Sequence, residues 1–147
     1  MSIKRGRENV KISTVPIKLN IEDAFEISEL MSQTNLEREL WIGTVEQVKS
    51  RFADSMWLGI RESGKLVSVG AARVNDYGVL IGPIVTLTPF RNRGYATSIV
   101  SAFVEKILRI PSTPMISVRN YNLTAFRVYS SIGFELHKSY FFLGPLN

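Results

Sequence analysis

The sequence contains no cysteine. That removes a thiol nucleophile, a disulfide framework and any zinc–thiolate centre, and it suits a reducing compartment. Histidine is scarce as well, with His137 alone. No Ser-His-Asp set can be argued from spacing around it, and His137 is read as structural. No apolar run is long enough to cross a bilayer. The opening MSIKRGREN is charged where a secretory signal would carry its apolar core. The expectation is a cytoplasmic protein with no membrane partner and no metal. Neither GxxxxGK[ST] nor GxGxxG occurs, so the two commonest glycine-rich nucleotide loops are excluded. Repeats, low-complexity tracts and linkers are also lacking, which points to one domain over residues 1–147.

What is present is ordinary for a globular domain. The chain has 147 residues, 45% hydrophobic and 21% charged, enough apolar material for a core without covalent staples. Net charge is +5. A basic balance suits either nucleic acid or a small polyanion. No helix-turn-helix, zinc or RNA-recognition pattern supports nucleic acid as the partner. The one dense basic cluster, Lys4-Arg5-Gly6-Arg7, sits within residues 1–9, which are read as a flexible, solvated tail.

Residues 10–18 read as a first strand with Pro16 marking an edge or irregular end. Asn20 with Asp23 resembles a capping box, and Ala24, Ile27, Leu30 and Met31 share one face of the helix that follows. Thr44 with Gln47 opens a second helix carrying Val45, Val48 and Phe52. The stretch between them contains Leu36, Leu40, Trp41 and Ile42 and is apolar for a connection. Met56–Arg61, Leu66–Val74 and Val79–Thr86 form a meander turning at Ser63-Gly64 and at residues 75–78. Gly82-Pro83 predicts a bulge or unpaired edge in the third of these strands. Ala96, Ile99, Val100, Phe103, Val104, Ile107 and Leu108 make the broadest helical stripe, ended by Pro111 and Pro114. Met115–Val118 is a short strand. Asn122 then caps a helix with Leu123, Phe126, Tyr129 and Ile132 on one side, and Gly133 ends it. Phe134–His137 and Tyr140–Leu143 close the chain as strands. This order implies an α/β (mixed α+β) domain around one twisted sheet.

The richest chemistry lies in Arg91-Asn92-Arg93-Gly94-Tyr95-Ala96-Thr97, between a strand and the strongest helix. The first turn of a helix presents unpaired N–H groups and a partial positive charge. Gly94 lets the backbone bend and a ligand approach, Ala96 is small, and two arginines add charge. The combination suits a pyrophosphate.

Arg91-x-x-Gly94-x-Ala96 resembles the Arg/Gln-x-x-Gly-x-Gly/Ala signature of the GNAT superfamily of N-acetyltransferases. The second segment, Asn122-x-x-Ala125-x-x-x-Tyr129-x-x-x-Gly133-Phe134, is similar to a pattern common in the same superfamily. Two departures are visible: Asn92 stands where glycine is usual, and Pro89 lies one place late. Asparagine tolerates the left-handed region better than most residues, so the turn is expected to survive.

The resemblance implies a single GNAT-like domain that binds acetyl-coenzyme A as cosubstrate. Strands would splay before the loop, with backbone groups of Ile84, Val85 and Thr86 pairing with the pantetheine arm. Amides of residues 91–97 would hold the pyrophosphate, Asn122 would bond the pantetheine or a water, and Tyr129 would protonate the departing thiolate. An ordinary phenol, with a pKa of about 10, keeps its proton at neutrality. Each residue also has a plain structural role: Asn122 as N-cap, Tyr129 as a core tyrosine. With no cysteine, direct attack by an amine in a ternary complex is expected. The acceptor is left open among a small amine, a peptide N-terminus and a lysine, and Leu40, Trp41 and Ile42 could line its pocket. The general base is open among Glu37, Glu39 and water, and a homodimer is left open too. A non-catalytic acyl-coenzyme A-binding domain is the competing reading.

Overall fold

The computed structural model describes residues 1–38, 44–118 and 122–136. Among these residues, five strands form one sheet in the order β1-β2-β3-β4-β5. They are β1 (Ile17–Lys18), β2 (Ser55–Glu62), β3 (Lys65–Asn75), β4 (Gly78–Thr86) and β5 (Pro114–Ile116). The meander is local in origin. Ser63 and Gly64 take positive φ in the first tight turn, and Asn75 Oδ1 accepts from the amides of Tyr77 and Gly78 in the second. β1 to β4 pair antiparallel, and β5 joins β4 in parallel after a helical crossover. The register between β3 and β4 slips opposite Gly82-Pro83, where the sequence predicts a bulge.

Among the described residues, four helices flank the sheet: α1 (Ala24–Arg38), α2 (Val45–Arg51), α3 (Tyr95–Ile107) and α4 (Leu123–Ile132). A Cβ on Gly70 would lie 2.6 Å from both Ile99 Cγ2 and Ile84 Cδ1, so α3 sits against β3 at that residue. The neighbouring position, Ala71, pairs with Trp57 and faces the other way. Trp57 is fully buried there and stacks on Phe52, just after α2, with ring centroids 5.9 Å apart. α1 packs on α2 and α3 packs on α4, which makes a three-layer sandwich. Ala24, Ile27, Leu30 and Met31 of α1 are buried, as are Ile99, Val100, Phe103, Val104 and Ile107 of α3. Arg61 ties β2 to the α1 layer, donating to both oxygens of Glu26 and to Asp23 at 2.8–3.0 Å.

The N-terminal segment departs from expectation. Residues 1–9 are not a solvated tail. Ile3 is 2% exposed. The amide of Ser2 donates to the Glu135 carbonyl at 3.0 Å, and the Ser2 carbonyl accepts from the Glu135 amide at 2.8 Å. On its other side Met1 accepts from the Ile116 amide at 2.9 Å. The segment thus acts as a strand between β5 and Glu135. Arg5 donates to the carbonyls of Leu108 and Ile110 past the end of α3, where a cation meets the negative end of the helix. Residues 10–16 are not strand either. They cross the outer face of α3, where buried Ser101 accepts from the Lys11 amide and buried Ser98 from those of Ser13 and Thr14.

Three smaller expectations are also corrected. α1 runs on through Arg38, so Leu36 and Glu37 belong to the helix rather than to a connection. β5 begins at Pro114 and ends at Ile116. On α4, Ile132 is buried, but Leu123 and Phe126 are exposed. Leu40, Trp41, Ile42, Glu39, His137 and the strand expected at Tyr140–Leu143 lie outside the described residues.

Candidate functional site

The site begins where β4 and β5 part. Their pairing covers Val79, Leu80 and Ile81 against Pro114, Met115 and Ile116, and stops there. Ile84, Val85 and Thr86 remain paired to β3 through Gly70, Val69 and Ser68. On the β5 side these three residues have no strand partner among the described residues. Strand chemistry leaves that edge able to receive an extended ligand. Thr86 closes the strand: its hydroxyl lies 2.8 Å from that of buried Ser68, and its carbonyl accepts from Arg91 Nε at 3.2 Å.

After a short turn at Thr88–Phe90 the chain reaches α3 through two left-handed residues, Asn92 (φ 64°) and Gly94 (φ 78°, ψ 14°). The left-handed conformation at 92 accounts for the asparagine. Gly94 is the N-cap of α3 and has no capping side chain, so the amides of Tyr95, Ala96 and Thr97 open the helix without one. The first α3 bond runs from the Ser98 amide to the Gly94 carbonyl at 2.9 Å. A Cβ on Gly94 would stand 3.2 Å from Ser13 Oγ, so the N-terminal segment also presses on this turn. A helix start of this kind presents free amides and a partial positive charge, the chemistry that suits an anion.

Arg93 is engaged by Glu62 at the end of β2. The carboxylate receives Arg93 Nη1 at 2.7 and 2.8 Å and the Tyr95 hydroxyl at 2.7 Å. The Arg93 guanidinium also lies over the Phe90 ring, 5.1 Å from its centroid. The Tyr95 hydroxyl first, and then Arg93, hold the Glu62 carboxyl below the usual carboxylate range. The same carboxylate pushes the Tyr95 phenol and the Arg93 guanidinium up.

α4 contributes the remaining expected residues. Asn122 is its N-cap, with Oδ1 accepting from the Ala125 amide at 3.1 Å. The cap uses the side-chain oxygen. Tyr129 lies two turns further on and is half-buried, its ring edge-on to Phe134 at 6.1 Å. Gly133 ends the helix at φ 116°, and a Cβ there would strike the Arg7 carbonyl.

The family model described as FR47-like protein matches residues 57–143, which include most of β2, then β3 to β5, the loop, α3 and α4. The chain belongs to this GNAT-related family. No curated protein matches it in sequence. Solved structures do match in shape. A GNAT-family protein from Novosphingobium aromaticivorans superposes with a TM-score of 0.75 at 19% identity, over 93% of this chain and 58% of the other. The chain therefore spans little more than half of that protein's length. The PaiA N-acetyltransferase of Thermoplasma acidophilum, solved with coenzyme A, gives 0.70 at 12% identity, over 84% of this chain and 91% of that one. A ribosomal-protein-alanine N-acetyltransferase from Brucella melitensis gives 0.69 at 16%, over 88% and 96%. At these identities the likeness is one of fold, and the fold is that of the GNAT superfamily.

Within this GNAT fold, the loop residues expected at the site come together at one helix start, beside the β4–β5 gap. Among the described residues there is no group of three His, Asp or Glu that could hold a metal, and no helix is long and apolar enough to cross a membrane. Sequence reasoning missed Glu62 and Ser13. A signal for Glu62 did exist. In a three-strand meander the first and third strands run parallel, so the last residue of β2 lies at the same end of the sheet as the residues after β4. Ser13 had no such local cue.

Proposed function

We propose that the protein transfers an acetyl group from acetyl-coenzyme A to a primary amine. The observation that carries this reading is the joining of an unpaired β4 edge at Ile84–Thr86 to an uncapped helix start at Gly94. An extended, amide-bearing arm that ends in a pyrophosphate has the shape and charge to use both. The residues present fit that group: Gly94 and Ala96 leave room at the amides, and Arg91 supplies charge. Likeness to a GNAT structure solved with coenzyme A supports the same ligand. In this reading Ile84, Val85 and Thr86 pair with pantetheine, residues 91–97 receive the phosphates, and Asn122 Nδ2 meets the arm.

The amine nitrogen attacks the thioester carbonyl carbon, the C–S bond breaks, and the sulfur leaves as thiolate. Tyr129 gives it the phenolic proton, while the amine loses a proton to water or to a carboxylate such as Glu37 or Glu39. Direct attack agrees with a sequence that has no cysteine to carry an acyl group. Likeness to a ribosomal-protein-alanine N-acetyltransferase keeps a peptide N-terminus among the candidate acceptors, beside lysine and small amines.

The test is a screen of amines with acetyl-coenzyme A and a free-thiol readout, alongside calorimetry with coenzyme A. Binding with amine-dependent thiol release supports the transferase. Binding without release under any amine favours an acyl-coenzyme A-binding domain. Absence of binding overturns both.

A further inference from the structure

We propose that Glu62 is a positioning residue of the phosphate loop: its one carboxylate holds Arg93 and Tyr95, the two residues flanking Gly94, and so fixes the backbone turn whose amides receive the anion. The inference rests on the coenzyme reading above and goes beyond it, because it assigns Arg93 to Glu62 rather than to the phosphates.

The geometry has three parts. Arg93 meets Glu62 with one nitrogen at 2.7 and 2.8 Å from the two oxygens, and Tyr95 donates its hydroxyl to one of them at 2.7 Å. Charge-assisted bonds of this length are the stronger kind. The guanidinium is also seated over Phe90, so its direction is set from two sides. Between the two anchored residues, Gly94 is left-handed, a conformation glycine reaches freely and leaves as freely. A residue that is permissive by itself needs its neighbours to define it. Glu62 stands on β2, one of the strands buried in the sheet, and so transmits the rigidity of the sheet to the loop. Electrostatics agree with this division of labour. A lone carboxylate next to a phosphate site would oppose an anion, whereas the Glu62–Arg93 pair is neutral as a unit and leaves the loop amides to face the phosphates.

The test measures two quantities in the full chain: coenzyme A affinity by calorimetry, and hydrogen exchange of the Ser98 amide, which bonds the Gly94 carbonyl. Glu62→Ala is expected to weaken coenzyme A binding by about tenfold and to speed Ser98 exchange. Glu62→Gln keeps an acceptor and is expected to restore most of both. Arg93→Ala added to Glu62→Ala is expected to cost nothing further, because the two act as one unit. Unchanged or tighter binding in Glu62→Ala overturns the proposal, since the carboxylate would then only oppose the phosphates. A further large loss from Arg93→Ala overturns it too, since Arg93 would then be a ligand. If the unaltered protein fails to bind coenzyme A, the coenzyme reading falls. Ser98 exchange in Glu62→Ala still decides whether Glu62 holds the loop, and an unchanged rate overturns that.

Discussion

Replacing Gly94 by alanine tests the phosphate loop at its narrowest point. The residue stands at φ 78°, ψ 14°. An L-residue in the left-handed region carries a cost of about 1–2 kcal/mol from the contact between Cβ and carbonyl oxygen. The new methyl would also lie 3.2 Å from Ser13 Oγ, a contact relieved by a shift of a few tenths of an ångström. Ser13 is exposed but bonded to buried Ser98, so that shift is resisted without being forbidden. The sum is about 1–2 kcal/mol. At about 2–4 °C per kcal/mol for a domain of this size, Tm falls by roughly 2–8 °C. Coenzyme A affinity should fall as well, because the methyl sits beside the amides that would hold the pyrophosphate. Gly6→Ala is the control. Gly6 is also left-handed, at φ 92°, but a Cβ there meets nothing within 4 Å, and it lies away from the loop. It should show a similar strain with no change in coenzyme A affinity. Calorimetry and thermal unfolding on the two variants decide the matter. Equal effects of both variants on affinity, or no effect of Gly94→Ala on either quantity, would refute the reasoning.

Other perturbations separate structural from functional roles. Tyr129→Phe keeps the ring against Phe134 but removes the proton, so kcat should drop by about 10²–10⁴ with coenzyme A affinity retained; full kcat would assign the proton to water. Asn122→Ala should cost about 1 kcal/mol through the lost cap, whereas Asn122→Asp should recover stability but not coenzyme A affinity, read by melting and calorimetry. Ile3→Ala should destabilise by about 2–4 kcal/mol, as expected for a buried aliphatic side chain and not for a tail; unfolding in denaturant gives the value. The hydrogen bond from Arg61 holds the Glu26 carboxyl below its ordinary range. Its stabilising effect is therefore present above the unfolded carboxyl's pKa and lost as pH falls through the lower folded value. Since Glu26 is 41% exposed, Glu26→Gln should cost less than about 1 kcal/mol at neutral pH, and the difference between the two proteins should vanish in acid.

Much of this protein was legible from local rules. The turns at residues 63–64 and 75–78 depend on a few adjacent residues, so the β2–β3–β4 meander could be read directly. The stripe on α3 follows from a period of 3.6, and the loop from Arg91 to Thr97 carries its glycine, its small residue and its charge within one short window. Asn122 and Gly133 bracket α4 by capping chemistry alone. Tertiary structure decided the rest. Nothing near Ile3 in the chain says that residues 1–3 will enter the sheet between β5 and Glu135, because that pairing joins segments more than a hundred residues apart. Lys4-Arg5-Gly6-Arg7 looks like a solvated cluster until Arg5 finds the carbonyls at the end of α3. Ser98 and Ser101 break the apolar pattern of α3 for a reason visible only when the segment from Lys11 to Thr14 lies across them. Leu123 and Phe126 have the spacing of a buried face, but burial needs an opposing surface, and a helical period cannot say whether one is there. Glu62 reaches the loop because strands β2 and β4, on either side of β3, finish at the same end of the sheet. Sequence determines which faces and turns can form; the meeting of distant segments determines which of them are covered, charged or held.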